Sequence, residues 1–147
     1  IGNSRLHIGV TYGLITALDL AVGELPDTTR RVLQMRQRLW DGLRGGIDGM
    51  KINGPPLDSA TRLPGNLNCR LPTLEGQAWM AACPQVAFSS GSACSSVEAK
   101  PSHVLTGLGL DQSQAIRSVR FGVGKFNTIQ QIDQAVELLV SAYHSLK

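Results

Sequence analysis

Three observations predict an α+β fold, a two-layer domain with a short, mostly antiparallel sheet packed by helices. Apolar residues recur at helical spacing at both ends of the chain, short stretches of alternating apolar and polar residues lie between them, and tight Gly/Pro turns join these pieces. At 147 residues, 42% of them hydrophobic, the chain has one domain's length and enough apolar material for a core.

Ile8, Tyr12, Ile15 and Leu18 fall on one helical face, so residues 6–23 read as an amphipathic helix ending near Gly23 and Pro26. Asp27 or Thr28 can cap a second helix, striped by Val32, Met35, Leu39 and Leu43 and stopped by Gly45-Gly46. Arg30, Arg31, Arg36, Arg38 and Arg44 fall mainly elsewhere around it, and a solvated face suits them better than a surface docking an acidic partner. Met50 to Asn53 is a short strand closed by Gly54-Pro55-Pro56. Asn66 to Leu71 alternates, with Leu67, Cys69 and Leu71 on one side, which places Cys69 in the core. Thr73 is expected to cap a short helix with Glu75 in its first turn, and Trp79, Met80 and Cys83 to pack near its end.

Val86 to Phe88 has the character of a buried strand end. It opens into Ser89-Ser90-Gly91-Ser92-Ala93-Cys94-Ser95-Ser96, whose side chains are too small to pack a core, so the Cys94 thiol is expected to be accessible. Pro101 suits a first helical turn and starts a helix that carries Val104, Leu105 and Leu108 and ends at Gly109. From Arg117 to Val123 the pattern alternates again, with Val119, Phe121 and Val123 inward, so Arg120 points away from the core and Gly122 leaves room above the strand. Thr128 caps a last helix lined by Ile132, Val136, Leu139, Val140 and Tyr143.

Several function classes are excluded by composition. A formal charge of +3 with 5% aromatic residues gives no nucleic-acid patch, and the longest apolar runs fall far short of a membrane span. The chain opens on Ile1-Gly2-Asn3 with neither methionine nor signal peptide, and so reads as a fragment. Cys69, Cys83 and Cys94 stand in no metal or disulfide spacing, which suits a reducing, cytoplasmic compartment. His7, His103 and His144 have no metal-ligand spacing either, and His103 reads as a helix-surface or packing residue. By pattern alone, a lone cysteine in a serine-rich loop is more often incidental than nucleophilic, and an outward arginine is as often a surface ion pair as a ligand. Together, however, a guanidinium fork and an accessible thiol suit a small amino acid: the fork fits a carboxylate while the thiol reaches a side-chain sulfur.

Three motifs in order carry a family resemblance. They are Ser89-Ser90-Gly91-Ser92-Ala93-Cys94; Lys100-Pro101-Ser102-His103-Val104-Leu105 followed by Gly107-Leu108-Gly109-Leu110; and Ser118-Val119-Arg120-Phe121-Gly122-Val123-Gly124-Lys125-Phe126. With weaker matches at Arg36-Gln37-Arg38-Leu39-Trp40 and Gln131-Ile132-Asp133, the chain resembles the cysteine desulfurases of the NifS and IscS group. The resemblance implies that Cys94 attacks the sulfur of an L-cysteine–pyridoxal 5'-phosphate adduct, becomes a persulfide and releases alanine. It implies that Arg120 holds the substrate carboxylate and that Ser89, Ser90, Gly91, Ser92 and Ala93 form the active-site loop. The length of that loop implies sulfur delivery to an iron–sulfur scaffold or another acceptor protein, and the family resemblance implies a homodimer. The family's histidine–lysine pair and phosphate cradle find no counterpart, since Lys51, Lys100, Lys125 and Lys147 all stand in other contexts. The chain is therefore expected to lack cofactor-binding residues of its own and to be the small domain of a fold-type I pyridoxal-phosphate transferase. Residues 1–26 would be the helix entering from the large domain, and residues 27–147 the small domain. Two alternatives stay open: a non-catalytic dimerisation or docking module, and a selenocysteine lyase.

Overall fold

The computed structural model of the chain describes residues 4–90 and 102–147. Its first element, α1 (Ser4–Gly46), is one continuous helix of 43 residues with Pro26 inside it. The break expected at Gly23–Pro26 is absent. A proline removes one helical N–H and crowds the carbonyl four residues back, a local penalty that anchored flanks can bear. Both flanks are anchored to the same segment: Glu24 pairs with Lys125 Nζ at 2.9 Å, and Arg31 Nη2 donates to the Lys125 carbonyl at 3.4 Å. The expected stripe of Val32, Met35, Leu39 and Leu43 is buried, whereas the apolar residues before Pro26, including Val10, Leu14, Leu18 and Val22, are exposed. Arg36 departs from a solvated face. It is 2% exposed and donates to the Leu57 and Leu63 carbonyls, fastening that loop to α1.

Four strands follow the order β1-β2-β4-β3, every pair antiparallel, with β1 at Lys51–Ile52, β2 at Asn66–Arg70, β3 at Ser89–Ser90 and β4 at Ser118–Gly122. The register opposes Leu67 to Phe121 and Cys69 to Val119, all buried, so one face of the sheet belongs to the core. On that face pack α1, α2 (Gly76–Ala82) and α5 (Ile129–Ser145). Trp79, fully buried, meets Phe88 and Phe121 edge-on with centroids 5.4 and 6.0 Å away, and its Nε1 donates to the Leu139 carbonyl at 2.9 Å, linking α2, sheet and α5. The two-layer α+β expectation holds.

Local details differ. Thr73 caps nothing: its hydroxyl lies 3.2 Å from the buried Tyr143 hydroxyl, which needs a polar partner, and α2 starts after Glu75. The strand expected at 86–88 lies at Ser89–Ser90, where the chain reaches β4; Val86 and Phe88 pack on the core from the preceding segment. Pro101 lies outside the described residues, and Ser102 is the N-cap of α3 (His103–Gly107). That helix closes in a Schellman turn: Gly109 has φ +82°, Gly109 N–H donates to the Thr106 carbonyl, Leu110 N–H to the Leu105 carbonyl, and Leu105 and Leu110 pack together. A further helix, α4 (Gln112–Ile116), is held by a reciprocal Asp111–Gln114 capping box, and Thr128 with Gln131 caps α5 in the same way.

Candidate functional site

The other face of the sheet is polar, as alternation dictates. Arg120 on β4 stands in register with Asn68 on β2 and Ser89 on β3, forming a row across three strands. Asn68, Arg120, Ser89 and Ser90 line a cavity of about 540 Å³, a size that suits a small polar molecule, and Ser102 and Leu105 line it as well. The chain thus leaves the cavity wall at Ser90 and returns to it at Ser102. Gly91, Ser92, Ala93 and Cys94, four of the predicted site residues, lie outside the described residues.

Among the arginines near this face, Arg120 is set apart by its lack of a partner among the described residues. Arg62 donates through Nη2 to the Asn53 carbonyl at 2.6 Å and through Nε to the Pro55 carbonyl at 3.0 Å; Arg70 Nη1 donates to Asn53 Oδ1 at 2.7 Å; Arg117 Nε donates to the Ser113 carbonyl at 3.1 Å. Arg120 is exposed and makes no hydrogen bond or ion pair with any described residue. A planar fork left open in a cavity is suited to a carboxylate or phosphate.

The sequence reading missed the polar floor of this cavity. Asn53, 2% exposed, donates through Nδ2 to Asn68 Oδ1 at 2.8 Å and to Ser118 Oγ at 2.9 Å, and Ser118, fully buried, donates to the Gln114 carbonyl at 2.7 Å. Its signal was the polar half of the Asn66–Leu71 alternation, which sets Asn66, Asn68 and Arg70 opposite the core side.

Cys69 and Cys83 are buried, as expected for structural cysteines. Burial pushes the Cys69 thiol up to about 12 despite the opposing pull of Arg62, and burial likewise raises Cys83 against a hydrogen bond from the Val86 backbone. Neither is poised to react. His103 is exposed on α3 and His144 Nε2 lies 2.9 Å from the Gly46 carbonyl; neither lines the cavity. Among the described residues no group of His, Cys, Asp and Glu is arranged to hold a metal ion, and no helix is long and apolar enough to cross a membrane. A larger groove of about 1250 Å³ runs between α1, the 57–64 loop and α5, and its arginines are engaged: Arg36 and Arg62 on backbone carbonyls and Arg38 on a carboxylate. Arg38 grips Asp133 there through two nitrogens, holding that carboxyl below its usual range, and Gln37 donates to Asp41 at 3.0 Å.

A four-stranded antiparallel sheet with helices on its core face is the architecture of the small domain of NifS-like pyridoxal-phosphate enzymes. The NifS-like protein from Rickettsia africae ESF-5 superposes on 85% of this chain with a TM-score of 0.69, at 21% identity and over 31% of its own length. No family model matches the chain. A cysteine desulfurase IscS of Anaeromyxobacter sp. (strain Fw109-5) is 40% identical over 145 residues, 99% of this chain and 35% of that protein. A mitochondrial cysteine desulfurase of Arabidopsis thaliana is 40% identical over 146 residues, 97% of this chain and 32% of that protein. The chain is homologous to the IscS/NifS-like cysteine desulfurases and spans about a third of the length of these relatives.

Proposed function

We propose that the chain is the sulfur-accepting part of a cysteine desulfurase, in which Arg120 holds the α-carboxylate of L-cysteine and Cys94 takes its sulfur. The observation that carries this reading is the Arg120 guanidinium, uncommitted among the described residues, in a cavity bounded by Ser90 and Ser102, the two ends of the segment that contains Cys94. Cys94 follows Ser90 by four residues, and a chain extends at most about 3.5 Å per residue, so the Cys94 Cα is tethered within roughly 14 Å of that of Ser90. Reach and anchor are thus coupled by covalent connectivity.

The bond changes are simple. The Cys94 thiolate attacks the substrate sulfur, an S–S bond forms, the carbon–sulfur bond breaks, and its electron pair is finally protonated to give alanine. Pyridoxal phosphate does not fit the described residues: Lys51, Lys125 and Lys147 are exposed, none lines the cavity, and Lys125 is paired with Glu24. The chain's own share is therefore to hold the carboxylate and accept the sulfur, with the cofactor seated on the large domain of the complete homodimeric enzyme. Residues 1–26, which include the first half of α1, join that domain, and residues 27–147 form the small domain. The Cys94 persulfide then passes to a thiol of an iron–sulfur scaffold or another acceptor protein.

In the full-length enzyme, Cys94→Ser abolishes the persulfide trapped on this chain after incubation with L-cysteine, while the cofactor spectrum and thermal midpoint stay as in the parent. A persulfide that still forms in the Cys94→Ser enzyme overturns the assignment. An unmodified enzyme that binds its partners but never forms a persulfide would make the chain a docking module instead.

A further inference from the structure

The donor and acceptor directions beneath the cavity are fixed from both ends. Arginine only donates, so the bond from Arg70 Nη1 makes Asn53 Oδ1 the acceptor and leaves Asn53 Nδ2 with its two hydrogens on the other side. A carbonyl only accepts, so Ser118 gives its hydroxyl proton to Gln114 and takes one hydrogen from Asn53 Nδ2. Both ends impose the same orientation on Asn53. Its second hydrogen goes to Asn68, which must therefore present Oδ1 to Asn53. The branch left over, Asn68 Nδ2, is a donor, and it has no hydrogen-bond partner among the described residues.

Asn68 lines the cavity and stands directly opposite Arg120 on the neighbouring strand, where paired side chains begin about 4.5–5.5 Å apart. A carboxylate offers about four lone-pair sites, and a guanidinium fork occupies two. We propose that Asn68, through Nδ2, is a second donor to the carboxylate held by Arg120 and so helps to select carboxylate-bearing substrates. This rests on the reading of Arg120 as the carboxylate anchor. Were Asn68 turned the other way, its carbonyl oxygen would face the anion, and the Arg70–Asn53–Ser118 chain excludes that orientation.

The test compares two ligands that differ only in the carboxylate, L-alanine and ethylamine, titrated calorimetrically into the full-length holoenzyme. In the parent, the ratio of their dissociation constants measures carboxylate recognition. Asn68→Ala is expected to lower that ratio roughly ten- to a hundredfold, the effect of losing one charge-assisted hydrogen bond, with ethylamine binding unchanged. Asn68→Asp keeps the shape and the bond accepted from Asn53 but turns the donor into an anion; it should lower the ratio further, and it carries the test if Asn68→Ala does not fold. An unchanged ratio in these variants, or equal weakening of both ligands, overturns the proposal. Arg120→Ala separates the two layers of the argument. If it lowers the ratio while the Asn68 variants do not, only the role of Asn68 fails, and if it leaves the ratio intact, the anchor itself is wrong.

Discussion

The arginines around the wet face of the sheet satisfy their forks on neighbouring carbonyls, Arg70 from β2, Arg62 from the 57–64 loop and Arg117 from the end of α4. Arg120 does not, and its geometry makes a sharp demand. Arg120→Lys in the full-length enzyme keeps the charge but replaces two parallel donors by a point ammonium, so kcat/KM for L-cysteine should fall about ten- to a hundredfold with no change in thermal midpoint. Unaltered alanine production would assign Arg120 to the surface. The outward direction of Arg120 was legible in the alternation of Val119, Phe121 and Val123, because a strand offers only two faces. The floor beneath it was not, since Asn53 meets Asn68 and Ser118 across 15 and 65 residues of chain and no local pattern encodes such pairings. Cys69 carries a pH signature of its own. Its folded thiol is raised from 9.0 to about 12, so the native state keeps a proton that the unfolded chain releases. Its contribution to stability is complete below about pH 9 and declines as pH climbs towards 12, by up to about 1.4 kcal/mol per unit. Cys69→Val should flatten the loss of thermal midpoint between pH 9 and 11, and identical alkaline profiles for variant and parent would contradict this.

At the scale of elements, the fold turns on how closely α1 and α5 approach. A Cβ added at Gly42 would meet the two methyls of Val136 at 2.7 and 2.8 Å, and one added at Gly46 would meet those of Val140 at 2.6 and 2.7 Å. Both pairs repeat at four-residue spacing, so a ridge of valines seats in a groove of glycines. Gly42→Ala gains helix propensity of about 1 kcal/mol but drives a methyl into a β-branched side chain with little rotamer freedom, which costs about 1–3 kcal/mol. The expected net loss is up to about 2 kcal/mol in chemical denaturation, relieved in part by adding Val136→Ala. A variant as stable as the parent would show that the helices can separate freely. The stripe that faces this contact was readable from the sequence, because burial imposes its period on Val32, Met35, Leu39 and Leu43. The continuity of α1 through Pro26 was not, because it depends on anchors to Lys125, about a hundred residues away along the chain. Likewise β3 is placed by its pairing with β4, which outweighs the stronger local strand character of Val86 to Phe88.

For the molecule as a whole, the uneven cover along α1 matters most. From Val32 onward the helix is built into the core, but Val10, Tyr12, Leu14, Leu18, Leu20 and Val22 lie open to water. A helical arm without packing depends on its own propensity, and this one contains Gly9, Gly13 and Gly23 ahead of Pro26, at about 1 kcal/mol per glycine relative to alanine. Its tether to the domain, the exposed Glu24–Lys125 pair at 2.9 Å, adds about 1 kcal/mol at most. In this chain studied alone, backbone amides of residues 9–25 should therefore exchange with deuterium within about tenfold of free-peptide rates, while those of residues 35–43 exchange only through larger opening of the domain. In the full-length protein the same arm should become strongly protected, because the large domain that it is proposed to join would cover its apolar side chains. Protection of residues 9–25 equal to that of Leu39 and Leu43 in the isolated chain would mean that the arm folds with the small domain, and the division near residue 26 would have to be abandoned. Persistent fast exchange in the full-length protein would show instead that the arm meets something other than the large domain.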